Sequence, residues 1–421
     1  MPDREFKFAA LKGTSDLLPP ESWEWQDATR LAFDTFARAG YAPVETPTFE
    51  RTELFERGMG LTSEVVGKQM YTFTDLGGRS LTLRPEGTAP VVRAVLEHGL
   101  HRGALPLKFA YASPMFRQER PQKGRYRQFF QLGIEAIGTD RPTIDAEVIE
   151  LGARYLKAAG ARARLLVNSI GHPDPSCRAG YVKLLREFLS DRRDALAPED
   201  AQRVETNPLR LFDSKHSRTR AALEQAPLIS DHLCPDCRAH FQDVRDLLSA
   251  VDVEFAVEPR LVRGLDYYTR TAFEFIAENL GAQDALGGGG RYDGLSEELG
   301  GPPLPGIGFA LGLDRIMLSV AAEGSERKPP VDVFVVSLGD EASRRALRAC
   351  TELRRRGLGA DLDVSGSSLK GQLRHAARSG ARWVAILGES ELAAGSVTLK
   401  ELSGGEQVTM SLERFESEWH P

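Results

Sequence analysis

Apolar side chains recur at helical spacing across residues 22–39 (Ala28, Leu31, Ala32, Thr35, Phe36), behind Ser22 and ahead of Gly40, and predict an amphipathic helix. The prolines of the next stretch, YAPVETPTFE, suit an extended edge segment better than a central strand. MYTFTD, a Gly77-Gly78 turn and SLTLRPE then alternate as a two-strand hairpin, leading into a helix that Thr88 could cap. A longer hairpin joins LKFAYASPMFRQE to QFFQLGIEAIG through the polar loop RPQKGRYR. Period-two alternation places Arg117 and Glu119 on one face of its first strand and Phe129, Gln131, Gly133 and Glu135 on one face of its second. A solvent-exposed sheet face would alternate in the same way.

Residues 171–255 differ in texture, being charged, helical in pattern and rich in short turns, and read as an insertion. Sheet text resumes at LVRGLDYYTRTAFEFI, where Arg263 falls in a strand segment, and GFALGLDRIMLSV reads as a helix. The glycine run at Gly287 to Gly290 is either a flexible loop or backbone lying close against a small ligand. It does not resemble a P-loop, since no GK[ST] follows. EGSERKPP is the clearest linker in the chain. After it, VDVFVVSLG, an Arg-rich helix, GLGADLDV, a second helix and RWVAILG alternate as a small α/β domain closed by the hairpin SVTLKELSGGEQVTMSL.

With 421 residues, of which 41% are hydrophobic, the chain can bury a large core divided among two or three domains. The charged N-terminus has no signal-like apolar stretch, and no later run approaches a membrane span, so the expectation is a cytoplasmic protein without membrane association. Four scattered cysteines (Cys177, Cys234, Cys237, Cys350) are too few for a disulfide framework and agree with a reducing compartment. A net charge of -6 argues against an overall basic coat, so any RNA contact must be local. Arg117 to Arg127, Arg344 to Arg356 and Arg374 to Arg382 are the basic candidates, although such runs are commonly solvated faces. Cys234 and Cys237 with His232 and His240 make a possible metal set, but one CxxC is only half of a usual zinc pattern, and no structural metal is expected.

Arginine carries the strongest chemical signal. Its guanidinium stays charged and presents a planar fork that matches phosphate oxygens. Arg117, Arg263 and Arg315, set among sheet-facing polar groups, suggest a phosphate pocket of the kind needed when a carboxylate attacks the α-phosphate of ATP.

The spacing of these segments is itself recognisable. FRQERPQKGRYRQF (Phe116 to Phe129) resembles motif 2 of class II aminoacyl-tRNA synthetases, and GIGFALGLDRI (Gly306 to Ile316) resembles motif 3. The weaker motif 1 would fall on Pro47. TLRPEGT (Thr82 to Thr88), LVRGLDYY (Leu261 to Tyr268) and GGGGRYD (Gly287 to Asp293) look like the segments that set the histidyl-tRNA synthetases apart within that class. The resemblance implies an α/β protein in which residues 1–170 and 257–325 form an α+β catalytic domain, an antiparallel sheet flanked by helices. Residues 171–256 would be a mainly helical insertion, and 330–421 an anticodon-binding-like α/β domain.

Roles follow by resemblance at matching positions. Arg117 would hold the α-phosphate and the activated carboxyl group, Arg315 the γ-phosphate and one adenine face, Phe129 the other face, with Glu119 also at the ATP. Arg263 would act at the α-phosphate, chiefly in the transition state. Glu86, Thr88 and Gln131 would bind the α-ammonium of histidine, and Glu135 with Tyr268 the imidazole nitrogens, Arg263 and Tyr267 completing the pocket. Tyr292 is a candidate for its wall. Arg120, Gln122, Lys123 and Arg125 would meet the acceptor end of tRNA(His). The implied ligands are ATP carrying Mg, L-histidine and tRNA(His), and the implied assembly is a homodimer with motif 1 at its interface. Two other readings are a catalytically silent regulatory paralogue, which should have lost some of these groups, and an adenylating enzyme with a different acceptor, against which the C-terminal domain argues.

Overall fold

The structure is a computed structural model, and it describes residues 8–60, 63–281, 284–322, 331–405 and 407–421. The linker expected at 323–330 lies outside the described residues. Two compact units, residues 1–325 and 326–421, divide the chain. Among the described residues no helix is long and apolar enough to cross a membrane.

The strands of the first unit are, in chain order, β1 (Ala42–Pro43), β2 (Phe49–Arg51), β3 (Thr72–Thr74), β4 (Ser80–Leu83), β5 (Leu107–Phe116) and β6 (Gln128–Ile137). They continue with β7 (Ala163–Ser169), β8 (Ala256–Val257), β9 (Thr269–Ala277), β10 (Ala285–Arg291) and β11 (Gly306–Gly312). Eight of them form one sheet in the order β1-β5-β6-β11-β10-β9-β7-β8, and β2-β4-β3 form a small second sheet. The large sheet is antiparallel except at its two edges, where β1 runs parallel to β5 and β8 parallel to β7. Proline-bearing β1 thus takes an edge, where a missing ladder donor costs least.

Alternation along β6 explains how this sheet serves two purposes. Leu132, Ile134 and Ala136 join a core with Phe273, Phe275 and Phe309, which is covered by Phe36 of helix Glu21–Ala37 and by Val148, Ile149 and Leu156 of helix Pro142–Ala158. Each such Leu, Ile or Phe contributes roughly 1.5–3 kcal/mol by leaving water. Phe129, Gln131, Gly133 and Glu135 alternate with them and point to the other face. Helix Pro235–Ala250 closes the apolar side through Val244 and Leu248, so the end of the helical segment packs on the sheet itself.

Local differences from expectation have physical causes. The first helix begins at Glu21 after Pro20 without a side-chain cap, while Gly40 does end it, at φ +85°. Thr88 opens helix Thr88–Glu97 but does not cap it; Glu86 does, accepting from the amides of Thr88 (2.7 Å) and Ala89 (2.9 Å). The segment GFALG is the central strand β11, not helix, which starts only at Leu313. Arg263 lies in the loop before β9 rather than in a strand. The glycine run is neither loop nor mobile tether but strand β10, pressed between β9 and β11. A Cβ on Gly289 would sit 1.9 Å from the carbonyl oxygen of Gly308, so only glycine permits this approach.

The second unit contains β12 (Val333–Ser337), β13 (Ala360–Leu362), β14 (Trp383–Leu387), β15 (Ser396–Glu401) and β16 (Gln407–Ser411), in the order β13-β12-β14-β15-β16. Its first three strands are parallel and its last two form an antiparallel hairpin, as their patterns predict. Helix Asp340–Arg355 buries Ala342, Ala346, Ala349 and Leu353 and leaves Arg344, Arg348, Arg354 and Arg355 exposed.

Candidate active site

Polar residues from four segments distant in sequence meet in one cleft on the second face of the large sheet. Its lining includes Glu86, Thr88, Arg117, Glu119, Arg125, Phe129, Gln131, Arg263, Tyr267, Tyr268 and Arg315. The floor is backbone, from Gly287 and Gly288 of β10 and Ala310 and Gly312 of β11. A Cβ on Gly288 would lie 2.9 Å from Nη1 of Arg263, which shows how closely that guanidinium rests on the strand.

The three arginines are held differently. Arg117, one residue beyond β5, donates from Nε to the carbonyl of Pro85 (3.0 Å) and lies 5.3 Å from the Phe129 ring centroid. Arg315, in helix Leu313–Ala322, donates to the carbonyls of Gly124 (2.7 Å) and Ala285 (2.6 Å). Carbonyls orient these groups without neutralising them. Burial lowers the pKa of both, and the neighbouring cation Arg125 adds to the depression at each. Arg263 instead pairs with Glu274 at 2.7 Å; burial works against its charge, but the carboxylate raises it overall. Nε of Arg263 and Oε1 of Gln131 are buried in this cleft without a hydrogen-bond partner among the described residues.

Carboxylates and tyrosines line the same space. Glu86 has its pKa raised by burial, opposed by its amide hydrogen bonds, and Tyr267 stands 3.5 Å from it. Glu135 is not among the cleft-lining side chains. It is fully buried one hydrogen bond behind them, accepting from Thr88 (2.7 Å), Tyr292 (2.6 Å) and Tyr111 (3.4 Å). Burial pushes it up to about 8. Tyr292 is likewise buried and acts on the cleft through Glu135.

The loop between β5 and β6 separates its polar residues. Arg120, Gln122 and Lys123 are exposed, whereas Arg125 turns inward to pair with Glu119. Gly124 makes the reversal at φ +76°. Glu274, the partner of Arg263, escaped the sequence reading, although its place in the alternating TAFEF was the available signal. Asp314 was missed as well; it accepts from the amide of Phe130 and so ties motif 3 to motif 2.

The cysteine pair keeps different company from that expected. His232 stacks on Tyr181, with centroids 5.7 Å apart. His240 sits farther along its helix beside buried Asp145 (3.5 Å), and burial, with Arg291 next, lowers its pKa to about 4. The groups that join Cys234 and Cys237 are His172 and Cys177, which sequence separation concealed.

An arginine-lined cleft on a large, mainly antiparallel sheet, in a chain that also carries a separate small α/β unit, is the architecture of an aminoacyl-tRNA synthetase. Residues 13–316 match the family model described as histidyl-tRNA synthetase, and 332–419 match the anticodon binding domain. A histidine--tRNA ligase of Nocardia farcinica is 50% identical over 409 residues, covering 96% of each chain. One from Halothermothrix orenii is 47% identical over 406 residues, again covering 96% of each. The apo histidyl-tRNA synthetase of S. aureus superposes with a TM-score of 0.80 at 35% identity, covering 97% of this chain and 98% of that one. The chain belongs to the histidyl-tRNA synthetase family.

Proposed function

We propose that this chain activates L-histidine with ATP, releasing pyrophosphate, and then transfers the histidyl group to the 3′ end of tRNA(His). The observation that carries the reading is the convergence of Arg117, Arg263 and Arg315 with Glu86 in one cleft. Cations for a polyphosphate and a carboxylate for an ammonium group stand together there.

In this reading Arg117 neutralises the α-phosphate and the attacking carboxylate, while Arg315 takes the γ-phosphate and, with Phe129, sandwiches adenine in a nucleotide of class II pose. Arg263 meets the α-phosphate as charge builds in the transition state, which is where added electrostatic stabilisation accelerates the step. Glu86, Thr88 and Gln131 receive the α-ammonium. Tyr268 and, through Thr88, Glu135 set the polarity around the imidazole; a mismatched buried polar group costs about 1–3 kcal/mol, enough to discriminate against amino acids without the ring nitrogens. Glu119 and Glu274 are cleft carboxylates that suit Mg arriving on the phosphates, where it would neutralise charge.

Arg120, Gln122 and Lys123, exposed on their loop, would meet the acceptor end of tRNA, and the exposed arginines of helix Asp340–Arg355 the anticodon side. We assign 1–170 and 257–325 to catalysis, 171–256 to an insertion and 330–421 to anticodon recognition, in a cytoplasmic homodimer. Support for the dimer comes from Phe49, two residues after Pro47, and Phe73, both exposed on the small sheet with centroids 6.3 Å apart. An active monomer in sedimentation would refute that part.

The rival regulatory reading requires lost ATP groups, yet all three arginines line the cleft. Exchange of pyrophosphate with ATP, measured for each standard amino acid with and without total tRNA, decides. Exchange with histidine alone is expected. No exchange would overturn the enzyme reading, and exchange with another amino acid would overturn the pocket.

A further inference from the structure

We infer that His172, Cys177, Cys234 and Cys237 form a structural zinc site that staples the loop after β7 to the start of helix Pro235–Ala250. Their four donor atoms all lie within 4.8 Å of one another, and three of the four residues are buried. Nδ1 of His172 is 3.0 Å from Sγ of Cys237 and 3.7 Å from Sγ of Cys234. Donors around tetrahedral zinc, with Zn–S near 2.3 Å and Zn–N near 2.0–2.1 Å, stand roughly 3.5–3.8 Å apart. The observed spacing brackets that value, so small side-chain adjustments close the site.

Backbone groups hold the sulfurs in place. The amide of Cys237 points at Sγ of Cys234 (3.4 Å), and the amide of Cys234 at Sγ of Cys177 (3.5 Å). Cys234 also caps the helix, accepting from the Cys237 amide, so its sulfur is held in place by the first turn. Gly171, at φ +64°, brings its backbone so near that a Cβ there would lie 2.7 Å from Sγ of Cys177. None of these cysteines is in a disulfide. Three soft thiolates and an imidazole select zinc over magnesium or calcium, and four protein donors leave no open position for catalysis.

The site has a structural consequence. Cys177 is followed by Arg178, whose Nη1 donates to the carbonyl of Tyr268, a residue that lines the cleft. The opposite end of the staple is the helix whose Val244 and Leu248 pack on the sheet. Zinc therefore fixes the wall behind Tyr268 as well as the loop.

Metal analysis of the full-length protein, purified without chelator, should find about one zinc per chain. Replacing the zinc with cobalt(II) should give the intense visible bands of a tetrahedral site together with thiolate charge transfer. His172→Ala and Cys237→Ser should lose the metal, His172→Cys should keep it, and Cys350→Ser, which alters a cysteine in the other unit, should be neutral. Zinc absent from the wild type, with the thiols free or two of the three cysteines disulfide-linked, overturns the proposal. So does zinc that persists in both His172→Ala and Cys237→Ser, which would mark adventitious binding. Wild-type metal content and the cobalt spectrum stand even if a variant fails to fold. Pyrophosphate exchange is not part of this test, so its failure and that of the activity assignment remain distinct.

Discussion

Glu135→Gln tests the electrostatics beneath the cleft. In the folded protein burial raises the Glu135 carboxyl from an ordinary 4.5 to about 8, against the hydrogen bonds from Tyr292 and Thr88 that favour its charge. The folded state therefore holds a proton that the unfolded chain releases. Its contribution to stability is full below pH 4.5, declines as pH rises from 4.5 toward 8, and is gone above that. At about 1.4 kcal/mol per tenfold change in proton affinity, the whole window is worth on the order of 5 kcal/mol, an upper bound because relaxation around the ionised group recovers part of it. Glutamine keeps the shape and cannot ionise, and the hydroxyls of Thr88 and Tyr292 can reorient to its amide.

The assay is urea unfolding of both proteins from pH 5 to pH 9. Other buried carboxyls, such as Asp145 at about 6, titrate alike in both, so the difference between the two profiles isolates Glu135. The variant should gain several kcal/mol on the wild type between the ends of the range. Parallel profiles, within about 1 kcal/mol, would show that Glu135 is already ionised in the fold and would refute the reasoning.

Three further outcomes follow from the same geometry. Arg263→His should lower the rate of pyrophosphate exchange by roughly 10²–10³-fold while raising the histidine KM far less, as for a group acting in the transition state; equal losses would make it a binding residue. Arg291→Met breaks a fully buried pair with Asp145 (2.7 Å) and should cost about 3–5 kcal/mol in denaturant unfolding, part of which the double variant with Asp145→Asn recovers; additive losses would contradict the coupling. Gly308→Ala places a Cβ 1.9 Å from Glu135 and 2.4 Å from the Ile134 carbonyl, and should destabilise by about 1–3 kcal/mol; an unchanged melting temperature would mean that β11 can shift freely.

Much of this site was legible because its residues sit on period-two text. Gln131, Gly133 and Glu135 share a face of β6, as alternation required, while Leu132 and Ile134 fill the core behind them. What periodicity could not resolve was environment. Periodicity reads GFALG as helix together with the run that follows it, whereas its pairing with β10 makes it strand β11. That Glu86, not Thr88, satisfies the helix amides depends on a turn with no sequence mark of its own. His172 and Cys177 lie more than fifty residues from Cys234, so half of a zinc pattern was visible and the other half was not.

The contrast among the arginines bears on how the cleft could work. Arg117 and Arg315 are restrained by carbonyls, and burial lowers the pKa of each more than the nearby carboxylates raise it, so under the proposed activity an incoming polyphosphate would supply the negative charge that favours them. Arg263 already has a carboxylate in Glu274, and a ground-state phosphate offers it little that it does not possess. Under the proposed activity its guanidinium would gain only when the charge developing on the phosphate oxygens exceeds what Glu274 provides. A paired arginine beside two carbonyl-held ones would thus separate binding from rate acceleration within one cleft, and the partner that the sequence hid, Glu274, would make the separation possible.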